Sequence, residues 1–499
     1  MAIVGAGFGG LGAAVRLRRL GVTDFVVLER ADAVGGTWRD NTYPGCACDI
    51  PSHLYSFSFA PNPYWSRSFS AQPEIRHYLE HLADNHGLRP HLRLNSEVTA
   101  ARWDADALHW AVETASGPLT AEVLVAATGP LSEPNLPDVP GMDTFPGAVF
   151  HSARWDHGRS LRGLRVAVVG TGASAIQFVP RIQREVTELT VFQRTPPWVL
   201  PKADRAISAA ERALHEWLPF TGAVRRRLAW GIRELQVGAF ARYPERMRAV
   251  ERLAALHLRR AVHDPELRRR LTPDYRLGCK RVLLSNDWYP ALTRPHVRLV
   301  DAGLREVRGD VLVADDGRRA TADVIVLGTG FRVTDQPVAR RVTGALGTTL
   351  AHEWRDGMSG LRGTTAAGFP NLLTIIGPNT GLGNSSMILV IEAQLAYLAD
   401  FVTRLAALAP PGGRAALTPR PEAVRAWGGL MGARLRNSVW NTGGCRSWYL
   451  DGQGRNTTVW PGSTTEFRRA AMGVPPGGSR GSVDLAEYEV LRREAVPHG

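Results

Sequence analysis

Residues 1–10 read Met1-Ala2-Ile3-Val4-Gly5-Ala6-Gly7-Phe8-Gly9-Gly10. A short apolar run enters a glycine turn, and a helical pattern follows through Leu11, Ala14, Val15, Leu17 and Leu20. The next apolar run, Phe25-Val26-Val27-Leu28, ends on Glu29. Strand, Gly-x-Gly-x-x-Gly, helix, strand and acid in that order form the dinucleotide-binding fingerprint in its proper context. Gly5 makes the tight turn, Gly7 lets the backbone approach a pyrophosphate, and Gly10 allows close helix-to-strand packing. The first N–H groups of the helix face the phosphates, and Glu29 stands where an acid meets the ribose hydroxyls. The first strand has almost no residues ahead of its turn, which points to a start further upstream.

The same plan returns later. Residues 164–169 are apolar, Gly170-Thr171-Gly172-Ala173-Ser174-Ala175 follows, and Ile176, Phe178, Val179 and Ile182 continue as a helix. The strand at 189–192 ends in Gln193-Arg194-Thr195, with an arginine in place of the ribose-binding acid. A guanidinium there suits the additional phosphate of NADPH through bidentate pairing. Each fingerprint is followed by further strands. These are 98–103, 108–114 and 119–125 before Ala127-Thr128-Gly129, and 297–300, 305–307, 311–314 and 324–327 before Gly328-Thr329-Gly330. Residues 369–376 and the helix after 377–384 have no fingerprint of their own and most simply complete the first unit.

The expected fold is therefore α/β, with two nested Rossmann-like dinucleotide-binding domains for FAD and NADPH. Residues 1–140 and 326–470 form the first domain, and 156–325 form the second, with a helical insertion at about 205–275. Residues 141–155 are expected as a linker and 471–499 as a mobile tail with a helical patch at 485–491. One helix start in the insertion is legible at Asp264-Pro265, an N-cap followed by proline at the first helical position.

Length and composition agree. A chain of 499 residues that is 44% hydrophobic can bury more than one core. The most apolar stretch, 388–402, is interrupted by Glu392, Gln394 and Asp400, so a buried or amphipathic helix is expected and no membrane span. No basic region precedes the first strand, so no secretory signal is expected. Cys46, Cys48, Cys279 and Cys445 are too few and too scattered for a disulfide framework, which suits a reducing cytoplasm. The absence of Cys-x-x-Cys counts against flavin disulfide reductases. The net charge of +13 comes almost wholly from arginine, the only lysines being Lys202 and Lys280. The clusters at 225–227 and 268–270 sit beside apolar helical positions, so solvated faces are expected and nucleic acid is not an expected partner. Oligomeric state is not legible.

Between the first two fingerprints and beyond, two further stretches stand out. Gly35-Gly36-Thr37-Trp38 through Tyr43-Pro44-Gly45 to Asp49 is glycine-rich and aromatic, equally a surface loop or the lining of a flat-ring site, and Tyr55 continues its aromatic density. The other is Phe145-Pro146-Gly147-Ala148-Val149-Phe150-His151-Ser152-Ala153-Arg154-Trp155. Phe145-x-Gly147-x-x-x-His151-x-x-x-Trp155 resembles the fingerprint of the type I Baeyer–Villiger monooxygenases. The spacing from Gly36 and Trp38 through Tyr43-Pro44-Gly45 to Asp49 resembles that family's longer second fingerprint. The resemblance runs from Gly5 to about Arg468.

It implies an enzyme using FAD, NADPH and O₂. A flavin peroxide would attack a ketone carbonyl, and the tetrahedral adduct would rearrange to an ester or lactone. Residue by residue, Arg281 of Lys280-Arg281 resembles the family's active-site cation, and Asp49 the carboxylate that positions it. His151 resembles the residue coupling cofactor binding to domain movement, and Trp155 closes the fingerprint and is counted with this catalytic set. Arg194, Thr195 and Lys280 resemble the 2′-phosphate site, and Trp448 a residue contacting bound NADP. Gly36, Thr37, Trp38, Tyr55, Val98, Thr128 and Gly129 complete the expected flavin site, and Gly170, Gly172, Ser174 and Ala175 the nicotinamide-dinucleotide site. No metal is expected.

The chemistry suits these residue types. Arg281 cannot lose its proton, a fixed cation beside a developing oxyanion is often the largest catalytic contribution, and a buried arginine needs a partner such as Asp49. Residues 451–460 depart from the cyclohexanone-oxidising members, so their substrates do not carry over. The competing readings are a monooxygenase acting on nitrogen or sulfur, an uncoupled NADPH oxidase, and a flavin-bearing interaction protein without turnover.

Overall fold

The computed structural model describes residues 1–472 and 483–494. Its first sheet has five strands in the order Leu372–Thr374, Leu124–Ala126, Ala2–Val4, Val26–Leu28, Leu92–Arg93. All are parallel, with Ala2–Val4 paired in register to Val26–Leu28 on one side and Leu124–Ala126 on the other. The helix Phe8–Arg19 makes the crossover and buries Leu11, Ala14, Val15 and Leu17. A Cβ on Gly10 would lie 1.8 Å from the Gly5 carbonyl oxygen, so only glycine lets this helix start directly beneath the turn.

The second sheet is also five-stranded and parallel, in the order Val297–Val300, Glu188–Phe192, Arg165–Val169, Val324–Leu327, Ala148–His151. Its edge strand comes from the expected linker. Ala148, Val149 and Phe150 pair with Val324–Leu327, whose open ladder edge would otherwise be unpaired. Gly147 makes this approach possible, because a Cβ there would fall 2.1 Å from the Asp323 carbonyl oxygen. Val324–Leu327 also straddles the expected boundary at 326 and lies wholly in this second sheet. The first sheet regains the chain only at Leu372–Thr374.

Each parallel sheet is accompanied by antiparallel strands. Val98–Asp104, His109–Thr114 and Leu119–Ala121 form one meander, and Leu304–Arg308, Val311–Ala314 and Arg319–Thr321 the other. The apolar stretch at 388–402 lies within the helix Met387–Leu408. Gln394 is fully buried there, but its amide accepts from Ile376 N at 2.9 Å and donates to the Thr374 carbonyl at 3.0 Å. Among the described residues no helix is long and apolar enough to cross a membrane. The insertion is helical at Ala209–Trp217, Pro219–Ala241, Met247–Ala261 and Pro265–Arg270, and Asp264 caps the last by accepting from Glu266 N.

Two further expectations are corrected. Of the expected mobile tail, 473–482 and 495–499 lie outside the described residues, but the supposed helical patch at 485–491 is a turn, Leu485–Glu487, leading into a strand. That strand, Tyr488–Arg493, pairs antiparallel with Arg414–Pro419, and the buried Tyr488 hydroxyl meets those of Tyr397 and Thr365. Secondly, Cys279 and Cys445, 166 residues apart, form a disulfide. Sequence separation says nothing about proximity once the sheets are assembled. Cys46 and Cys48 are free and buried.

Candidate active site

The first fingerprint opens into a cleft at the C-terminal ends of its sheet. Gly5, Gly7, Glu29, Gly36, Thr37, Trp38, Tyr55, Val98, Thr128 and Gly129 all line it. Gly7 and Gly36 meet across it almost backbone to backbone: a Cβ on Gly36 would lie 3.1 Å from the Gly7 Cα. Two side chains there would fill the cradle, so the residues present fit a dinucleotide brought against bare main chain. Trp38 Nε1 donates to the Tyr55 hydroxyl at 3.1 Å, and Tyr55 packs edge-on against Phe8. Glu29 is buried but already engaged: its carboxylate accepts from Ala6 N at 2.8 Å and pairs with Arg39 at 2.9 Å. It therefore braces the turn while facing the cleft.

The second fingerprint places Gly170, Gly172 and Ser174 ahead of the helix Ala175–Ile182, whose N-cap Ser174 makes no side-chain cap bond. No side chain therefore covers the positive end of this helix, although Ile176 N and Gln177 N already donate to the Gly172 and Ser174 carbonyls, and the end can face an anion. Arg194 is exposed, and Thr195 is held through its carbonyl by the Thr171 hydroxyl. Lys280 lies over the Tyr275 ring, 5.1 Å from its centroid. Burial, and next the positive field of Arg194, push its pKa down. Two cations close enough to repel one another, with the field of Asp274 only partly offsetting that repulsion at Lys280, suit a dianionic phosphate.

Between the two cradles lies Asp49, held by Arg281 in a two-pronged pair, Nε to Oδ2 at 2.7 Å and Nη2 to Oδ1 at 2.6 Å. Burial alone would raise the Asp49 pKa, but the Arg281 charge and hydrogen bonds hold it below the usual carboxylate range. Burial likewise opposes the charge on Arg281, and Asp49 outweighs it, so the guanidinium is more firmly protonated than in water. Both side chains keep about a quarter of their surface accessible, 26% and 25%. They present it to a cavity of about 140 Å³ walled by apolar groups such as Phe240, Met247 and Leu277. A fixed cation at the wall of an apolar cavity can stabilise negative charge developing on a bound oxygen.

Comparison with known proteins gives the family. The pyridine nucleotide-disulphide oxidoreductase family profile matches residues 2–214, a stretch whose only cysteines are Cys46 and Cys48. A Baeyer–Villiger monooxygenase of Streptomyces coelicolor is 64% identical over 492 residues, covering 99% of this chain and 92% of the relative. The chain belongs to the Baeyer–Villiger monooxygenase family. A second member, from Pseudomonas aeruginosa, is 45% identical over 471 residues, covering 94% and 88% of the two chains. The crystal structure of OTEMO in complex with FAD and NADP superposes with a TM-score of 0.85 at 26% identity, covering 98% and 99%.

Within this Baeyer–Villiger monooxygenase the fingerprint histidine and tryptophan stand apart from the Arg281 cavity, which neither lines. His151 ends the edge strand, is 3% exposed, and accepts from Ala153 N through Nδ1 at 3.1 Å. Its Nε2 is buried without a geometrically sound hydrogen bond, although the Gly330 carbonyl is near enough to favour protonation. Burial outweighs that and pushes its pKa down to about 4, so the ring is neutral. Trp155 packs against Phe150 and Phe178, joining the edge strand to the helix Ala175–Ile182. Trp448 is 42% exposed and packs at a tilt against Tyr449.

Three residues of the site escaped the sequence reading. Tyr449 is buried with an unpartnered hydroxyl, within the field of both Arg281 and Asp49, and burial pushes its pKa up to about 12. Only its adjacency to Trp448 could have signalled it. Gln177, on the helix of the second fingerprint, accepts from the Tyr43 hydroxyl at 3.0 Å and donates to the Ala47 carbonyl at 3.0 Å. It thereby ties the second cradle to the loop carrying Asp49. Arg233, from the helical insertion, lines the cavity beside Arg281. Cys279–Cys445 fastens the Lys280-Arg281 segment to the segment bearing Trp448 and Tyr449.

His53, Glu211 and His215 also converge, with ligand atoms within 4.8 Å of one another. Glu211 is already paired with Arg205 at 2.8 Å and Arg225 at 2.9 Å, so its charge is committed to guanidiniums.

Proposed function

We propose that the chain is an FAD- and NADPH-dependent Baeyer–Villiger monooxygenase that inserts one oxygen atom of O₂ beside a ketone carbonyl, giving an ester or lactone. The observation that carries the reading is the Arg281–Asp49 pair at the wall of an apolar cavity between two dinucleotide cradles. Membership of the family supports it. Bound FAD, reduced by NADPH, would supply the oxygen-transfer chemistry.

The chain's own residues do the rest. The main chain at Gly5, Gly7 and Gly36 admits the flavin dinucleotide, and Trp38 and Tyr55 wall that cleft. Arg194 and Lys280 bind the 2′-phosphate that distinguishes NADPH from NADH. Arg281 faces the ketone and stabilises the negative charge that develops on its carbonyl oxygen. Asp49 fixes the guanidinium plane through two parallel bonds and keeps Arg281 from reorienting towards other acceptors. Phe240, Met247 and Leu277 exclude water around the charge. Gln177 keeps the second cradle in register with the Asp49 loop, and Trp155 packs the edge strand of the second sheet, which His151 ends, against the helix Ala175–Ile182. NADPH dependence supports a cytoplasmic location, where Cys279–Cys445 would be exposed to reduction.

Mass spectrometry of products from NADPH-fed enzyme given cyclic, linear, aromatic and polycyclic ketones, with a thioether in parallel, tests this reading. An ester or lactone carrying one atom of labelled O₂ is expected. Sulfoxide without any ester would replace ketone insertion by heteroatom oxidation, and hydrogen peroxide as sole product would reduce the enzyme to an oxidase.

A further inference from the structure

The helix Pro219–Ala241 is fastened to the body of the protein by its polar groups. Glu234 accepts from Thr464 N at 2.8 Å and from the Thr465 hydroxyl at 3.0 Å. Arg226 donates to the Ser56 carbonyl at 2.6 Å and faces Glu392 at 3.5 Å. Trp230 Nε1 donates to the Thr464 hydroxyl at 3.0 Å, and the Arg233 carbonyl accepts from Asn384 at 3.0 Å. The Arg233 side chain is the exception. It is half-buried and lines the same cavity as Arg281, yet among the described residues no carboxylate reaches it within ion-pair distance. The nearest negative field is that of Asp49, whose two oxygens are both taken by Arg281. Burial already disfavours the charge on Arg233.

A desolvated guanidinium without a counter-ion is costly, and it is retained where a ligand supplies the missing charge. The remaining lining is mostly apolar, including Ala239, Phe240, Met247, Val250 and Leu277, with Gln236 and Asn384 as its uncharged polar members. Such a cavity holds hydrocarbon along most of its wall and an acceptor at one point. We propose that Arg233 is a carboxylate-binding subsite, and that the substrate is an oxo-acid that carries its ketone and its carboxylate into the same cavity. This rests on the ketone-oxygenating reading of the cavity. Arg281 then addresses the ketone and Arg233 the acid, so one end of the substrate is anchored while the other is oriented for insertion. The cavity wall carries two guanidiniums and one carboxylate, and its charge becomes balanced when the substrate acid binds.

The test compares linear oxo-acids with their methyl esters in the wild-type holoenzyme, in Arg233→Met, and in Arg227→Met, an exposed arginine on the same helix. In the wild type the acid is favoured. In Arg233→Met the acid-to-ester ratio of kcat/KM falls about 100-fold, the scale of one desolvated charge pair, with the loss carried by KM. Arg227→Met keeps the wild-type ratio. Binding of the same acids and esters, followed by tryptophan fluorescence without NADPH, separates this inference from the reading beneath it. If the wild type binds acid over ester and Arg233→Met does not, the subsite stands even where no ester product forms. Equal binding of acid and ester by the wild type would overturn it. So would an acid-to-ester ratio unchanged in Arg233→Met, including the case in which both substrates lose activity together.

Discussion

Replacing Arg281 with alanine removes the one cation that Asp49 pairs with. The pair consists of two charge-assisted bonds of 2.7 and 2.6 Å. Breaking a buried pair of this kind costs about 3–5 kcal/mol, because the remaining charge keeps its desolvation without its partner. Here about a quarter of each side chain opens to the cavity. Water entering the emptied space would solvate Asp49, so the lower end, about 3 kcal/mol, applies to folding. The orphaned carboxyl would lose the field that depresses its pKa, and the burial that opposes its charge would then dominate. The catalytic loss is separate. A fixed donor aimed at a developing oxyanion contributes about 2.7–4 kcal/mol, or roughly 100- to 1,000-fold in rate. Arg281 does not line the flavin cleft and the substitution leaves the Lys280 side chain in place, so flavin content and NADPH oxidation should persist while ester yield per NADPH falls by that factor and hydrogen peroxide rises to match. Arg281→Lys, which keeps the charge and loses the two-pronged geometry, should fall between the variant and the wild type. The assay is parallel measurement of NADPH consumed, peroxide released and ester formed. Undiminished ester per NADPH in Arg281→Ala would refute the assignment of Arg281, and equal loss of flavin would show that the substitution acts through the fold.

Arg194→Ala should lower the preference for NADPH over NADH by roughly tenfold or more, the weight of one charged hydrogen bond; intact selectivity in steady-state kinetics would move the phosphate site elsewhere. Gly10→Ala should yield protein depleted of flavin, because the added Cβ falls 1.8 Å from the Gly5 carbonyl oxygen, and full flavin absorbance after purification would contradict the cradle. His151 has a folded pKa of about 4 against an ordinary value of 6.5. Its stabilising effect is therefore complete above pH 6.5 and declines as pH falls towards 4, by about 3 kcal/mol in all. His53, with the same shift, adds to the effect. His151→Gln should flatten the pH dependence of the thermal inactivation rate across that window, and an unchanged profile would show the ring to be protonated already. Cys279→Ser opens a loop of 166 residues whose closure restricts the unfolded chain by about 5 kcal/mol in the entropic treatment, so inactivation on heating should accelerate; identical half-lives with and without reductant would show that the bond does not stabilise the fold.

What could be read from the sequence was what depends on neighbouring residues. Gly5 to Gly10 and Gly170 to Ala175 each specify a turn, a strand exit and a helix start within a few residues, through main-chain sterics that act over that range. The strands of both meanders and the proline-started helix at Asp264 were legible for the same reason. Arg194 was informative because its place at the end of a strand is set by the fingerprint before it. Lys280-Arg281, Asp49, His151 and Trp155 gained roles only through likeness to a family, since nothing local distinguishes a site arginine from the many others in the chain.

The tertiary structure decided the rest. It turned 148–151 from linker into an edge strand, because that choice depends on a vacant ladder at Val324–Leu327, far along the chain. It joined Cys279 to Cys445 and seated Tyr488 against Tyr397, pairings that a sequence records only as distant letters. It also set Arg233, which has no acid within ion-pair distance among the described residues, in one cavity with Arg281, which has Asp49, although both are ordinary arginines to a reader of the sequence. Local sterics act along the chain, whereas desolvation and charge pairing depend on which distant segments are brought together in space.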